Sequence, residues 1–382
     1  MKSLISAAAV VGVTASGGIA GGLDRSGQPI GLLFENGNYA ELSFASIKPS
    51  VDGIDTTVTP FNPTGDAPIG DVADSFIQLS GGIKYQFNDQ VSFALIADQP
   101  FGSDITYPGS STTTVLGGTS AIADSFSLTA LGRYKFSDRF SVHGGVRYQT
   151  IEGDITLSGL AYGGLSGYNV ALARDDAFGY IVGGAFEIPE IALRVALTYS
   201  SEITHNMATT ETLGGLPVFG ASADTEIVSP ASINLDFQTG LNPKTLAFGS
   251  IRYAKWSDLR ISPTGFDASV AGPNSSISEL DDSLALTLGV GRKITDNFSA
   301  SVSVGWEKAG DDDLVSPLAP SNGSYSVALG GKYTMDNVTI SGGVRYTVLG
   351  DAQPETGTPD VARASFADNS ALSIGLKVGF AF

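Results

Sequence analysis

Two histidines, His143 and His205, are the only imidazoles among 382 residues, and there is no cysteine. A Ser-His-Asp nucleophile or a zinc site needs partners that the sequence does not place beside either histidine. Asp281-Asp282 and Asp311-Asp312-Asp313 offer oxygen ligands but lack the alternate spacing of a dedicated calcium loop, so they read as solvated loop acid. No catalytic residue, metal or cofactor is expected. The remaining polar chemistry is cationic. Arg147, Arg194 and Arg345 fall on the polar side of alternating stretches, where a guanidinium can hold a carboxylate with two parallel hydrogen bonds. Arg147 is the leading headgroup partner. The competing use of such arginines is pairing with a neighbouring Asp or Glu.

The stretches that carry these residues repeat with a period of two. Ile77, Leu79, Ile83, Tyr85 and Phe87 alternate with Gln78, Ser80, Lys84 and Gln86; after a turn at Asn88-Asp89 the alternation resumes from Val91. That is a hairpin. Further tight turns fall at 137–139, 188–190, 241–243, 295–297 and 335–337. Each is flanked by alternating segments and by aromatic residues such as Tyr134, Phe136, Phe140, Phe298 and Tyr333. With an opening strand from Tyr39 and a closing strand ending at Phe382, the count is about fourteen strands. Longer segments of roughly 15 to 30 residues separate the hairpins, at about 48–74, 99–122, 152–175, 201–229, 257–282, 308–322 and 351–367.

Short turns at one rim and long loops at the other, with one greasy face and one wet face, predict an all-β transmembrane antiparallel barrel over 39–382. An extended chain crosses hydrocarbon only as a closed sheet, because every unpaired backbone group there costs several kcal/mol. The alternative, a soluble sandwich, leaves unexplained the start of the chain. Met1-Lys2, an apolar run to Val13 and the small residues Gly18-Ile19-Ala20 predict a secretory signal peptide over 1–20. A net charge of −18 argues against a nucleic-acid partner.

Residues 21–38 precede the first strand and combine Leu32, Leu33 and Phe34 with several glycines. They predict either a plug lining a greasy lumenal pocket or a disordered tail. The third strand runs into Asp98-Gln99-Pro100-Phe101-Gly102. Proline cannot donate to a ladder, so Pro100 and Gly102 either end the strand or break its pairing and open a lateral gap. Two loop stretches are unusually apolar for water-facing chain: Leu160, Tyr162, Leu165 and Tyr168, then Leu213, Leu216 and Phe219. They pack either as a hydrophobic capture groove or simply against one another.

Several stretches together resemble the FadL-type family of outer-membrane long-chain fatty acid and hydrophobic compound transporters. They are Gly22 to Pro29, Asn38 to Phe44, Ile233 to Gly240, Phe248 to Trp256 and the closing Gly375 to Phe382. The resemblance implies a fourteen-stranded barrel whose N-terminal segment is a hatch, with ligand passing from an extracellular groove to an inner pocket and out sideways near a kinked third strand. The family's Asn-Pro-Ala hatch element is not evident here. The expected function is passive, multi-pass outer-membrane transport of hydrophobic compounds, with long-chain fatty acids as the family's default substrate. The alternative is a general diffusion porin for small polar solutes; an adhesive barrel and a lipid hydrolase stand behind it. Expected partners are hydrophobic small molecules, outer-membrane lipid and lipopolysaccharide, around a monomer.

Overall fold

The computed structural model describes residues 23–218, 224–267, 275–278, 280–310, 312–356 and 361–382. The expected signal peptide, 1–20, lies outside them. Fourteen antiparallel strands form the wall. In chain order they are β1 (Tyr39–Ser50), β2 (Phe76–Gln86), β3 (Val91–Asp98, continued by Gly102–Thr106), β4 (Ser120–Lys135) and β5 (Phe140–Leu157). Next come β6 (Tyr168–Ile188), β7 (Leu193–Ser200), β8 (Ser232–Asn242), β9 (Thr245–Ala254) and β10 (Ser283–Lys293). The last four are β11 (Phe298–Glu307), β12 (Ser324–Met335), β13 (Val338–Leu349) and β14 (Ser370–Ala381). Each pairs with its sequence neighbours, and β1 pairs with β14 from Tyr39↔Ala381 to Ser50↔Ser370. That last ladder closes the barrel and removes the edges an open sheet would leave. Among the described residues no helix is long and apolar enough to cross a membrane.

The period of two becomes inside and outside. Ile77, Leu79, Ile83 and Tyr85 on β2 are exposed on the outer wall, whereas Gln78 and Lys84 are buried in the lumen. On β4, Phe126, Leu128 and Tyr134 face out while Ser127, Thr129 and Arg133 face in. Aromatic pairs gather at the tight turns, as in Tyr85 with Phe87, Tyr134 with Phe136 and Phe140 with Phe186. This is where amphipathic rings meet headgroups.

The loop rim is more ordered than its sequence suggests. Where a loop was expected over 152–175, β5 and β6 run on as a hairpin to Leu157 and from Tyr168. Their ladder slips at Ile151/Gly153, which accommodates one extra residue. Thr209–Leu213 adds to the β6 extension, and Ile203–Met207 pairs with Thr225–Ser229. Gly53–Asp55 pairs with both Ala67–Ile69 and Ala364–Phe366, stitching the first long loop to the last. β-Branched and apolar residues along these extensions bury one face against the neighbouring loops, so the ladders continue above the membrane.

Candidate functional site

The wall is interrupted where the sequence places Pro100. Between β3 and β4 pairing passes from Asp98↔Ser127 to Gly102↔Asp124, four steps on one strand against three on the other. The Ser125 hydroxyl replaces the missing ladder, accepting from Phe101 N at 2.9 Å and donating to Phe101 O at 2.6 Å. On the other side, β2–β3 pairing stops at Gly81↔Ala97. Contact resumes only at the isolated bridge Ala73↔Ile105 and the bond from Asp74 N to Asp104 O, 2.9 Å. Within that interval Leu79 N donates to the Gln99 side chain at 2.9 Å instead of to a backbone carbonyl. A gap in the ladder is thus stopped by side chains. The chain pairs with β4 on both sides of Pro100, up to Asp98 and again from Gly102.

The N-terminal segment docks on this break from inside. Arg25 N donates to Pro100 O at 2.8 Å, and Gly102 N donates to Leu23 O at 3.0 Å. Asp24 receives Arg252 Nε from β9 at 2.6 Å, and the Ser26 hydroxyl donates to Asp98 Oδ2 at 2.5 Å. The chain then turns through two left-handed residues, Gly27 and Gln28, at φ of 65° and 54°. Gln28 accepts from the Ser232 hydroxyl at 2.8 Å, and Asn234 Nδ2 donates to Gly27 O at 2.9 Å. A short 3-10 turn, Gly31–Phe34, follows. Leu32 and Leu33 bury against Ala94 and Ile96 of β3, Leu131 of β4 and Ile181 of β6. Phe34 lies between two guanidinium groups, Arg133 at 4.6 Å and Arg194 at 4.5 Å from its ring, with the His143 ring edge-on at 5.9 Å. Finally Lys84 Nζ donates to the carbonyls of Glu35 and Gly37 at 2.7 and 2.9 Å. Contacts with β2, β3, β4, β6, β8 and β9 stretch the segment across the lumen.

Above it lies an apolar cavity of about 90 Å³. Its floor and wall include Leu23, Phe101, Gly102 and Ala121, and its roof Trp256, Leu259 and Leu318 from two long loops. Phe101 meets the Trp256 ring edge-on at 5.1 Å. Among the described residues the lining holds no Lys or Arg, and its two charged members, Asp124 and Glu152, are exposed. A second cavity of about 70 Å³ adjoins the same break on the β1 and β2 side, where Arg25, Asp24, Asp74 and Asp104 give it a polar lining.

The groove residues expected from the loops sit above the first cavity rather than in its lining. Tyr168 is fully buried in the same cluster as Phe101 and Trp256, and Tyr162 and Leu213 pack against it. Tyr168 and Leu213 are register partners across β6. Leu165 is half-buried at the end of the 3-10 turn Leu160–Leu165. Leu160 and Leu216 are exposed, Leu216 at 72%. Phe219 lies outside the described residues. What holds this roof is Glu211, a buried carboxylate that accepts from Tyr168 Oη at 2.7 Å, Gly265 N at 2.8 Å and Phe266 N at 2.7 Å. Burial and then that hydrogen bond raise the Tyr168 phenol well above its ordinary value.

Among the arginines, Arg147 is buried on β5, donating from Nε to the Thr129 hydroxyl at 3.0 Å, in the field of the buried Asp98. Arg194 is taken up by Phe34, and Arg345 is buried on β13. None of the three lines the cavity. His143 contacts the Thr198 hydroxyl through Nε2 at 3.0 Å, and His205 contacts Asp175 and Gln149. His143 meets a hydroxyl but its Nδ1 has no hydrogen-bond partner to orient the ring, His205 meets a carboxylate and an amide, and among the described residues no group of His, Asp and Glu is arranged to hold a metal. Asp282 accepts from Tyr253 Oη and Ser257 N, and Asp311 lies outside the described residues. Sequence reading missed Trp256, Leu259, Leu318 and Arg25. Trp256 and Leu259 stand in the mixed stretch Trp256-Ser257-Asp258-Leu259-Arg260-Ile261, which carries no apolar run to mark them.

A closed barrel with a greasy outer belt, an N-terminal segment across the lumen and an apolar cavity at a break in the wall fits an outer-membrane channel for hydrophobic compounds. Residues 30–382 match the family described as outer membrane protein transport protein (OMPP1/FadL/TodX). The chain belongs to that family of bacterial outer-membrane transport channels, which are not enzymes. Solved structures with the same fold include a Pseudomonas aeruginosa FadL homologue, 18% identical, TM-score 0.70, covering 93% of this chain and 92% of that one. The Pseudomonas putida toluene transporter TodX is 14% identical with a TM-score of 0.62, covering 91% of each chain. The Ralstonia pickettii toluene transporter TbuX is 13% identical with a TM-score of 0.58, covering 92% and 90%. No curated protein matches the chain by sequence.

Proposed function

We propose that the protein passes neutral hydrophobic compounds from the extracellular side into the cavity under Trp256 and sideways through the break in β3, with the N-terminal segment as the hatch beneath. The observation that carries this reading is the cavity lining: apolar surface, with no Lys or Arg among the described residues, touching the wall break at Gly102. A fatty-acid carboxylate buried there would find no cation in the lining, at a cost of several kcal/mol. A neutral ring or alkyl chain carries no such penalty. An apolar cavity of roughly 150 Å³ takes up benzene, so a volume of about 90 Å³ requires side chains such as Leu23 to yield when ligand enters.

Long-chain fatty acids are the second reading. The likeness to a FadL homologue and the buried Arg147 favour it, with Arg147 below the cavity as the headgroup partner. The relatives described as toluene transporters favour the first.

The chain has two tryptophans, and Trp306 is on β11 outside the cavity lining. In a Trp306→Phe background Trp256 reports the cavity alone. Bromine quenches tryptophan on contact, so titration with a neutral bromoalkane and with a brominated fatty acid separates the readings. Saturable quenching by the neutral compound at the lower concentration is expected. Quenching by the brominated acid alone would replace the first reading with the second, and quenching by neither would remove both.

A further inference from the structure

Arg25 occupies an unusual place for a residue of a lumenal segment. Gly102 stands opposite Asp124 in the β3–β4 ladder, so a side chain at 102 would point out of the barrel beside Asp124. A Cβ built on Gly102 would overlap the Arg25 guanidinium. The head of Arg25 therefore lies in the thickness of the wall, where glycine leaves room. It stacks on Phe76 of β2 at 4.2 Å from the ring centre, and Nη1 reaches Asp124 Oδ1 at 3.4 Å. Phe76 and Gly102 are the two sides of the interval in which β2 and β3 are unpaired. One side chain from the inside thus bridges the break from edge to edge.

The surroundings suit a plug that can be withdrawn. Arg25 is only 7% exposed, yet its Nε has no hydrogen-bond partner, and its bond to Asp124 is single and long. Asp124 itself is 60% exposed on the outer wall. On β4 the apolar outer residues run from Tyr134 to Phe126, Asp124 is the first charged residue after them, and Ile122 lies beyond it. Ten residues of a strand tilted by about 40° rise roughly 25 Å, the height of the apolar belt. The plugged break therefore opens at the level where the outer leaflet meets its headgroups.

Resting on the transport reading above, we infer that Arg25 is the stopper of the lateral gap. Its guanidinium fills the break between β2 and β3, with Asp124 as its outer tether. Arg25 N and Gly102 N bind the break through the same segment that crosses the lumen, so displacing that segment also withdraws the stopper. The inner plug and the side exit then open together, and neither leaks alone.

The chain has no cysteine, so a single Ser103→Cys reporter can be placed on β3 in the cavity lining. The full-length protein, reconstituted in outer-membrane lipid, is exposed to a lipid-dissolved pyrene maleimide. Heat-modifiable migration on gels confirms that each barrel is folded. Arg25→Ala is expected to raise the labelling rate at least fivefold, Asp124→Asn about threefold, and Arg25→Lys less than twofold. Folded Arg25→Ala labelled within twofold of the parent would overturn the inference. Should Arg25→Ala not fold, Asp124→Asn decides, and an unchanged rate there has the same force. Labelling reads the gap whether or not any compound is carried, so failure of the bromoalkane titration leaves this result standing.

Discussion

Replacing Phe34 by alanine should unseat the N-terminal segment without disturbing the barrel. The ring sits between the Arg133 and Arg194 guanidinium groups, 4.6 and 4.5 Å from its centre. A partly desolvated cation–π contact contributes about 1 kcal/mol, so the pair supplies ~2 kcal/mol. Loss of half-buried ring surface adds about 1 kcal/mol more. A total of ~3 kcal/mol corresponds to roughly 150-fold in the ratio of seated to unseated segment, at about 1.4 kcal/mol per tenfold. Hydrogen–deuterium exchange reads this ratio directly, because Leu33 N and Glu35 N bond within the turn, to Ile30 O and Leu32 O. Peptides over 30–37 should exchange about a hundredfold faster in Phe34→Ala, whereas peptides from β13 and β14 should not change. Phe34→Leu keeps apolar bulk but not the π face, and should fall between. An increase below tenfold in Phe34→Ala would show that the double clamp does not hold the segment.

Three further outcomes follow from the loop rim. Glu211→Gln places an amide where the carboxylate accepts three donors; a cost of about 2 kcal/mol is expected, read as protease cutting within 256–267. His205 is held neutral because burial depresses its pKa below the usual 6.5, against the opposing pull of Asp175. The unfolded loop takes up a proton that the folded one resists, so stability is fully present above about pH 6.5 and falls as pH drops through that value. Lower protection of 203–207 at pH 5.5 than at pH 7.5, taken relative to the intrinsic exchange rate at each pH and flattened in His205→Gln, is the check. Leu318→Ala enlarges the cavity and should cost ~2 kcal/mol in the loop roof, while strengthening quenching of Trp256 by a bromonaphthalene relative to a bromoalkane.

The barrel was legible because hydrocarbon enforces it. Lipid on one face of β2 demands Ile77, Leu79 and Ile83 at every second place, and the narrow turn rim demands Asn88-Asp89 or Asp336-Asn337 between alternating runs. Loop boundaries were less legible, because above the membrane the same alternation serves loop packing: β6 begins at Tyr168, where the reading placed a loop ending near 175. Pro100 announced that the strand either ends or loses pairing there, since a missing N–H is a local fact. What fills the break was not announced. Arg25 is 77 positions away from Gly102 in the chain, and its position in the wall depends on a glycine whose missing Cβ matters only once the two are side by side. In the sequence Arg25 is one more charge beside Asp24. The cavity was hidden for the same reason: Phe101, Trp256 and Leu318 come from three separate segments and share a wall only in the folded barrel. A motif can therefore place the break in pairing, but what lies beside it is a tertiary coincidence of a small residue on one strand and a long one on the N-terminal segment.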